Sequence, residues 1–297
     1  MPFVFFGTPE LSADILEYLK KRGLVPSLIV TNPDRPAGRG LVPASSPVKL
    51  WALKNKIPRL QPEYLLDPDF IYTLKAAKCN LFIVVAYGKI IPREILAIPS
   101  KGSLNIHYSL LPKYRGASPV ESAILADDRD VGVSIILLDE KMDHGPIVAE
   151  EKVIAPHWPP SAPELRKWCN ETGARLLADT IPLWLEGKIL AREQDHDKAT
   201  YAEKISKEDG LLDLTDSQYK NFLKIQAYKI WPRAYFFAAV KGKKIRVTVA
   251  DAKWENGQLA ITRVIPEGKR EVSYQDFQKQ LRNQPPRPGR GTAENDK

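Results

Sequence analysis

Two polar residues with side chains suited to acyl transfer, Asn105 and His107, stand two apart in the segment LNIHYSLLPKYRGASP at residues 104–119. This segment begins as a strand and ends in a loop punctuated by proline. Because successive side chains of a strand point to opposite faces, Asn105 and His107 are expected on one face, at the carboxyl end of the strand. Asp143, in the segment EKMDHGPI, is the candidate acid.

These three residue types match the requirements of an attack by a neutral amine on a carbonyl carbon. The reaction needs a donor for the developing oxyanion, a proton shuttle, and a group that orients the shuttle. Asn105 can donate an amide N–H, His107 can relay a proton, and Asp143 can orient His107 or an ordered water. Spacing alone leaves open the alternative that His107 is a structural histidine.

Other kinds of catalytic site have less support in the sequence. His107, Asp143 and His144 lack the HxxxH spacing or the carboxylate cluster of a metal site, so no metal is expected. Ser109 lacks the GxSxG elbow of a serine nucleophile. The opening FFGTPE contains only Gly7 where a dinucleotide fingerprint needs three glycines, which argues against a nicotinamide cofactor.

Alternating strands and helices must position these residues. The rhythm of short apolar runs and amphipathic helices is typical of a mostly parallel α/β sheet. Two segments rich in β-forming residues flank Asp143 and are predicted to pair around it. The predicted strands cover residues 3–6, 28–30, 81–86, 103–107, 132–138 and 147–153.

The C-terminal third carries most of the positive charge. The net charge of the chain is +8, and from residue 203 onward 19 Lys and Arg stand against 12 Asp and Glu. Residues 217–246 contain eight basic residues and no acidic one, interleaved with aromatic residues. This composition indicates a polyanionic partner. A predicted helix at 220–228 and short strands after it favour a small β-barrel or sandwich.

The length of the chain predicts two domains. No apolar run is long enough to span a membrane and no signal peptide is recognisable, and Cys79 and Cys169 belong to no paired motif. A cytoplasmic location is therefore expected. The predicted boundaries are 1–188 for the catalytic domain, 189–202 for a polar linker, 203–283 for the basic domain, and 284–297 for a disordered tail.

Eight segments of the sequence, taken together in their order and spacing, form a pattern that is highly specific for one protein family. They are FFGTPE at 5–10, NPDRPAGRG at 32–40, SPVK at 46–49, VVAYGKIIP at 84–92, LNIHYSLLPKYRGASP at 104–119, GVS at 132–134, MDHG at 142–145 and YAEKISKEDG at 201–210. Through these segments the chain resembles the methionyl-tRNA formyltransferase family over nearly its whole length.

The resemblance implies a fold and an activity. It implies a Rossmann-like formyltransferase domain with a mostly parallel sheet, followed by a small C-terminal OB-like β-barrel domain. It also implies transfer of a formyl group from 10-formyltetrahydrofolate to methionine on initiator tRNA, for translation initiation. The catalytic Asn, His and Asp of the family map onto Asn105, His107 and Asp143, in agreement with the roles assigned above.

The resemblance also implies binding residues for folate and tRNA. In the family, the loop PDRPAGRG reaches the acceptor end of the tRNA, which assigns Arg35 and Arg39 to that contact. In the basic domain, residues 241–246 are expected to contact tRNA phosphates. The residues assigned to folate are Ser109, Leu110, Leu111, Pro112, Tyr87, Gly88, Ile90 and Ile91, and those assigned to phosphate are Lys241, Lys243, Lys244 and Arg246.

Three alternatives remain. The chain can be a related N-formyltransferase acting on an amino-sugar nucleotide or a purine intermediate, a hydrolase that releases formate from folate, or an inactive tRNA-binding module. The basic C-terminal third argues against the first two, and the presence of all three catalytic residue types argues against the third. The expected partners are therefore initiator Met-tRNA and folate, without a membrane, and the chain is expected to act as a monomer.

Overall fold

The chain divides into two compact units in a computed structural model that describes residues 2–37 and 42–282. Unit 1 comprises the residues up to 123 together with 128–158 and 164–204. Unit 2 comprises the residues from 205 onward and two short segments, 124–127 and 159–163. Arg39 and the predicted tail at 284–297 lie outside the described residues.

The N-terminal two thirds of the chain alternate strands and helices. The strands are β1 (Phe3–Gly7), β2 (Leu28–Val30), β3 (Arg35–Ala37), β4 (Val42–Ala44), β5 (Arg59–Leu60), β6 (Leu81–Val85), β7 (Ser103–His107), β8 (Arg115–Gly116), β9 (Gly132–Leu137), β10 (Ile147–Lys152) and β11 (Tyr201–Ala202). The helices are α1 (Glu10–Lys21), α2 (Pro47–Lys54), α3 (Pro68–Ala76), α4 (Arg93–Leu96), α5 (Pro119–Leu125) and α6 (Ala162–Leu185).

Seven of these strands form one sheet, in the order β10-β9-β7-β6-β1-β2-β5. The five strands from β7 to β5 are parallel, whereas β9 and β10 are antiparallel to their neighbours. Every residue of β1 and β6 is buried, as expected for continuous apolar strands that are covered on both faces. The predicted pairing of the two segments that flank Asp143 is present as β9 and β10.

The order of the strands determines where a crevice opens. The chain runs from β1 outward to β2 and β5, and then returns to β6 on the other side of β1. The connections from β1 and from β6 therefore leave in opposite directions, which makes this position the switch point of the sheet. Open α/β sheets bind ligands at a switch point, in the crevice outside the carboxyl ends of the strands. Asn105 in β7 pairs in register with Val84 of β6, beside this crevice.

Local sequence signals begin the helices that flank the sheet. The hydroxyl of Ser46 accepts a hydrogen bond from the backbone N–H of Lys49 at 3.1 Å, which caps α2. The carboxylate of Asp67 accepts one from Phe70 at 3.0 Å, which caps α3. A proline follows each cap, at the position where a missing N–H costs nothing.

Residues 189–202, whose polar composition predicts a linker, pack into unit 1. The backbone of Arg192 exchanges two hydrogen bonds with Ile147, and β11 pairs in parallel with β8. Gln194 is buried. Backbone pairing and buried polar contacts hold this segment, and neither produces the apolar periodicity by which sequence reasoning recognises packed structure.

Unit 2 is built on an antiparallel sheet with two helices. Its elements are α7 (Gln218–Ala227), β12 (Tyr235–Val240), β13 (Lys243–Glu255), β14 (Gln258–Pro266), β15 (Val272–Ser273) and α8 (Tyr274–Arg282), with strand order β12-β13-β14-β15. Phe236, Val247, Val264 and Phe277 form part of its own buried core. This arrangement agrees with an OB-like domain, and the predicted fold class is confirmed. None of the described helices is both long and apolar enough to cross a membrane.

A substitution at Phe82 in β6 tests how much the central strand contributes to the stability of unit 1. Its side chain is 0% exposed, and its ring centroid lies 5.3 Å from that of Phe6. We expect Phe82→Ala to lower the free energy of unfolding by about 3–5 kcal/mol, because it removes apolar contacts and leaves a cavity. Urea denaturation measures this loss. Tyr72→Ala, at a position that is 75% exposed, is the control, and equal effects of the two changes would contradict the assignment.

Candidate active site

A cavity of about 530 Å³ opens in unit 1 beside the carboxyl ends of β6 and β7. This volume lies within the usual range of small-molecule sites. Residues 84–91 at the end of β6, 105–108 of β7 and 138–143 in the loop between β9 and β10 form most of its lining. Asn105, His107 and Asp143 all belong to that lining, so the structure brings the three predicted catalytic residues together.

The ring of His107 has a polar neighbour at each of its two nitrogens. His107 is 5% exposed, its Nε2 lies 2.8 Å from the carbonyl oxygen of Tyr114, and its Nδ1 lies 3.5 Å from Oδ2 of Asp143. A carbonyl oxygen can only accept a hydrogen bond, so Nε2 carries the proton in the neutral ring. The lone pair of Nδ1 then lies on the side of Asp143 and is the position that can take up a proton.

Asp143 is presented by a tight turn. Its φ is 49°, in the left-handed region, and its Oδ2 accepts a hydrogen bond from the backbone N–H of Gly116 at 2.8 Å. A side chain at Gly145 is excluded, because a Cβ there would lie 1.8 Å from the carbonyl oxygen of Leu137. The turn can therefore approach β9 closely only with glycine at residue 145.

Asn105 is half-buried and keeps its amide available. Its side chain makes no hydrogen bond to the residues that the structure describes, although it lines the cavity. Asn105 and His107 share a face of β7, as their spacing predicts. The amide N–H groups of Asn105 are thus placed to donate to a bound molecule.

The four folate-assigned residues after β6, which are Tyr87, Gly88, Ile90 and Ile91, also line the cavity. Tyr87 and Ile91 are buried, whereas Ile90 is exposed at the mouth. Burial raises the pKa of Tyr87 to about 12, so this phenol is protonated at neutral pH. Its hydroxyl has no hydrogen-bond partner among the described residues.

The SLLP loop occupies a different place. The hydroxyl of Ser109 donates to the carbonyl oxygen of Lys113 at 2.6 Å, and the hydroxyl of Ser134 donates to the carbonyl oxygen of Ser109 at 2.8 Å. Ser134 pairs in register with His107. The loop packs against β9 and is not among the residues that line the cavity, so its assignment to folate stays a prediction. Its residues are Ser109, Leu110, Leu111 and Pro112.

Arg35 begins the short hairpin formed by β3 and β4 and is exposed. The preceding Asp34 accepts hydrogen bonds from Lys49 at 2.5 Å and from Gln61 at 3.0 Å. The hydrogen bond from Lys49, followed by that from Gln61, lowers the pKa of the Asp34 carboxyl. These contacts hold the chain at the point where the hairpin begins.

The phosphate-assigned residues of unit 2 lie at and after the turn between β12 and β13. Lys241 is in the turn, with φ of 48°, and Lys243 and Lys244 are exposed. Lys244 and Arg246 share one face of the sheet, and the alternation of the strand turns Lys243 to the other face. The structure therefore places Lys244 and Arg246 together and Lys243 on the opposite face.

Lys244 and Arg246 pack on aromatic rings. The Nζ of Lys244 lies 4.4 Å from the ring centroid of Phe237, and the Cζ of Arg246 lies 3.6 Å from that of Tyr235. Such contacts are attractive because a cation faces the negative face of the ring. Phe237 itself is half-exposed.

Sequence reasoning missed residues that support the site. Tyr114, Gly116 and Gln194 contact His107 or the main chain and carboxylate of Asp143. Tyr114 and Gly116 lie within a recognised motif, but two of these three contacts use backbone atoms, which carry no residue-type signal. His144, by contrast, pairs with Asp139 at 2.6 Å and is partly buried. No described group of three or more His, Cys, Asp or Glu side chains is arranged to hold a metal.

Comparisons with known proteins agree with this architecture. A family model described as formyl transferase matches residues 1–181. The chain is 41% identical over 270 residues to a methionyl-tRNA formyltransferase of Thermus thermophilus, and the match covers 90% of this chain and 86% of the relative. The corresponding protein of Chloroflexus aggregans is 41% identical over 250 residues, or 84% of this chain and 80% of the relative. The chain belongs to the methionyl-tRNA formyltransferase family.

The resemblance inferred from the motifs is thereby confirmed. A solved structure supports the fold: the methionyl-tRNA formyltransferase from Clostridium thermocellum superposes with a TM-score of 0.59 at 16% identity. The match covers 92% of this chain and 99% of that chain. The likeness to that protein thus extends over most of this chain.

Gly116 offers a test of the packing under Asp143. Its φ is 119°, and a Cβ there would lie 2.5 Å from the carbonyl oxygen of Ala202. We expect Gly116→Ala to destabilise the chain by about 1–3 kcal/mol, through strain in φ and displacement of β11. Thermal unfolding measures the loss. Gly187→Ala is the matched control, since Gly187 has φ of 72° and open space around its Cβ position. Equal losses in the two variants would show that contact with β11 contributes nothing.

Proposed function

We propose that this chain transfers the formyl group of 10-formyltetrahydrofolate to the α-amino group of methionine carried on initiator tRNA, for translation initiation. The observation that carries the proposal is that one cavity gathers an unpaired amide, an imidazole of defined tautomer and a carboxylate. Membership of the family supports the choice of donor and acceptor. The basic residues and aromatic contacts of unit 2 support a polyanionic acceptor over an amino-sugar nucleotide.

The residues of the cavity fit a folate. A pterin is a flat heterocycle with a polar edge, and residues 87–91 offer main-chain polar groups beside the apolar side chain of Ile91. Two lining residues, Tyr87 and Asn105, have polar side-chain atoms without partners among the described residues. Buried polar groups are normally satisfied, so the buried hydroxyl of Tyr87 suits a ligand that supplies a polar partner, and the half-buried amide of Asn105 is accessible to the same ligand.

Each of the three residues then has a defined task. 10-Formyltetrahydrofolate supplies an activated formyl group, which is bound to its N10 nitrogen, and N10 is the leaving atom. The neutral methionine amine attacks the formyl carbon, a C–N bond forms, and the bond from that carbon to N10 breaks. Asn105 donates an N–H to the negative charge that develops on the formyl oxygen.

Proton transfer is assigned to His107 through Nδ1. The carbonyl of Tyr114 keeps the proton on Nε2, which leaves Nδ1 to accept the proton lost by the amine and return it to N10. While it holds that proton, the ring is an imidazolium, and the carboxylate of Asp143 at 3.5 Å stabilises the charge. The N–H of Gly116 in turn donates to that carboxylate and holds it in place.

The tRNA body is assigned to unit 2, and the acceptor end to the hairpin that begins with Arg35. Lys244 presents a cation beside the half-exposed ring of Phe237, a combination that suits phosphates and bases, and Arg246 packs on the buried ring of Tyr235. Since the three site residues and this basic face belong to one chain, we propose that the active form is a monomer. Because charged initiator tRNA is consumed in the cytoplasm, we place the activity there.

A formylation assay tests the proposed reaction and its residues. The wild-type chain is expected to formylate Met-tRNA with 10-formyltetrahydrofolate, and not an amino-sugar nucleotide. Asn105→Ala and His107→Ala are each expected to reduce kcat by about 10²-fold or more, because each removes a group that acts in the transition state. Circular dichroism checks that both variants fold. Activity only on the amino sugar would overturn the assigned acceptor, and full activity of His107→Ala would overturn the proton path.

Salt dependence tests the face of unit 2. The logarithm of tRNA affinity is expected to fall linearly with the logarithm of salt concentration, and Lys244→Ala is expected to reduce that slope by about 1. Filter binding of the full chain measures both quantities. Lys198→Ala is the control, because Lys198 pairs with Asp195 at 2.6 Å in unit 1. An unchanged slope in Lys244→Ala would remove this residue from the phosphate contacts.

A further inference from the structure

A buried pair of polar residues, Arg115 and Gln194, lies in unit 1 beneath the turn that carries Asp143. Arg115 is 2% exposed and Gln194 is 4% exposed. The Nε and Nη2 of Arg115 donate to Oε1 of Gln194 at 3.1 and 2.6 Å. The same Nη2 lies 2.8 Å from Nδ1 of His196. Arg115 therefore grips the oxygen end of the Gln194 amide with two hydrogen bonds.

The nitrogen end of the same amide holds the turn. Nε2 of Gln194 donates to the carbonyl oxygen of Asp143 at 2.9 Å and to that of Gly145 at 2.7 Å. Arg115 can only donate, so it forces the amide oxygen toward itself and the NH₂ group toward the two carbonyls. The orientation of the amide, and with it the contact to the turn, is thus determined by Arg115.

The carboxylate of Asp143 is fixed from the same short strand. Gly116, which follows Arg115 in β8, donates its backbone N–H to Oδ2 of Asp143 at 2.8 Å. β8 is itself paired with β11, where Tyr201 lies opposite Arg115. One two-residue strand therefore controls both the main chain of Asp143, through Gln194, and its side chain, through Gly116.

The guanidinium of Arg115 carries an unusual cost. Its side chain is buried, yet no carboxylate lies within 4.0 Å of it among the residues that the structure describes. Its side-chain acceptors are an amide oxygen and an imidazole nitrogen. Burying a charge without an ionic partner costs several kcal/mol, so the arrangement is a poor way to gain stability. It is a direct way to orient a neighbouring amide.

We propose that Arg115 and Gln194 are positioning residues, which hold the carboxylate of Asp143 beside Nδ1 of His107. This inference rests on the proposed function, because it assigns the pair a role in the same reaction. The 3.5 Å between Asp143 and His107 leaves little room for error, and displacement of a reacting group by about 1 Å can cost about 10²-fold in rate. Neither residue is among those that line the cavity, so the pair acts through Asp143.

Gln194→Glu is the variant that tests the proposal. The carboxylate keeps the size of the side chain and still accepts from Arg115, but it places an acceptor against the carbonyls of Asp143 and Gly145. We expect kcat to fall about 10- to 100-fold, with KM for Met-tRNA and for 10-formyltetrahydrofolate changing less than about 3-fold. Arg115→Lys, which retains the charge and loses the fork of donors, is expected to act in the same direction.

A matched control and a double-mutant cycle separate positioning from a structural role. Asn80→Asp makes the same amide-to-carboxylate change at an exposed site of unit 1 and is expected to leave kcat unchanged. In an Asp143→Asn background, Gln194→Glu is expected to change kcat less than about 3-fold, because the group through which it acts is already altered. Crystal structures of the two single variants at residues 194 and 115 are expected to show Oδ2 of Asp143 displaced from Nδ1 of His107.

The outcomes are distinguishable. If the wild-type chain does not formylate Met-tRNA, the proposed function fails, and the crystal structures decide the positioning role separately. If the wild-type chain is active and Gln194→Glu retains full kcat, the positioning role is overturned. Equal fold-losses in the wild-type and Asp143→Asn backgrounds would also overturn it, as would loss of the folded state in both Gln194→Glu and Arg115→Lys, since the pair would then hold the fold.

Discussion

The hydrogen bond between Nε2 of His107 and the carbonyl oxygen of Tyr114 is the contact on which the proposed chemistry of this site depends. Because a carbonyl cannot donate, it selects the tautomer of the ring, and the lone pair of the neutral ring is on Nδ1. Asp143 can stabilise a protonated ring only from a position close to that nitrogen, and its Oδ2 lies 3.5 Å away. Tyr114 itself has φ of 59°, in the left-handed region, and it follows the packed SLLP loop. A backbone atom thus determines which nitrogen of His107 carries the proton in the neutral ring.

Asp143 is held in place both by its carboxylate and by its main chain. Its carboxylate is held by the N–H of Gly116, and its main chain by the amide of Gln194, which Arg115 orients. β8 and β11 bring these groups together although they are distant along the chain. Acyl transfer between two bound substrates gains from such preorganisation, since a group that is already oriented needs no rearrangement as charge develops. The cost is a buried guanidinium without a carboxylate partner among the described residues.

The two units divide the work that the proposed reaction requires. Unit 1 places its cavity at the carboxyl ends of β6 and β7, beside the switch point between β1 and β6, where a parallel sheet offers the ends of several strands to a ligand. Unit 2 carries the excess positive charge on an antiparallel sheet, with Lys244 and Arg246 seated on aromatic rings. The chemistry of transfer needs precise geometry, whereas the recognition of a polyanion needs charge spread over a surface. The two requirements suit different architectures.

Much of the molecule followed from the sequence alone. Continuous apolar runs predicted the buried parallel strands, the spacing of Asn105 and His107 placed both on one face of β7, and the ordered motifs identified the family. These features are encoded by neighbouring residues, whose periodicity is visible in one dimension. Spacing alone could not place His107 beside Asp143 or show that its Nε2 faces the carbonyl oxygen of Tyr114, because both contacts depend on segments outside β7.

Only the tertiary structure decided how the site is held. It packed residues 189–202 into unit 1, turned Lys243 away from Lys244, and joined Arg115 and Gln194 beneath Asp143. Each of these outcomes depends on contacts between segments that are far apart in the sequence, or on backbone atoms that every residue shares. Such contacts leave no periodic pattern and no residue-type signature. The sequence therefore determined which groups are present and which strand carries them, and the fold determined what each of them touches.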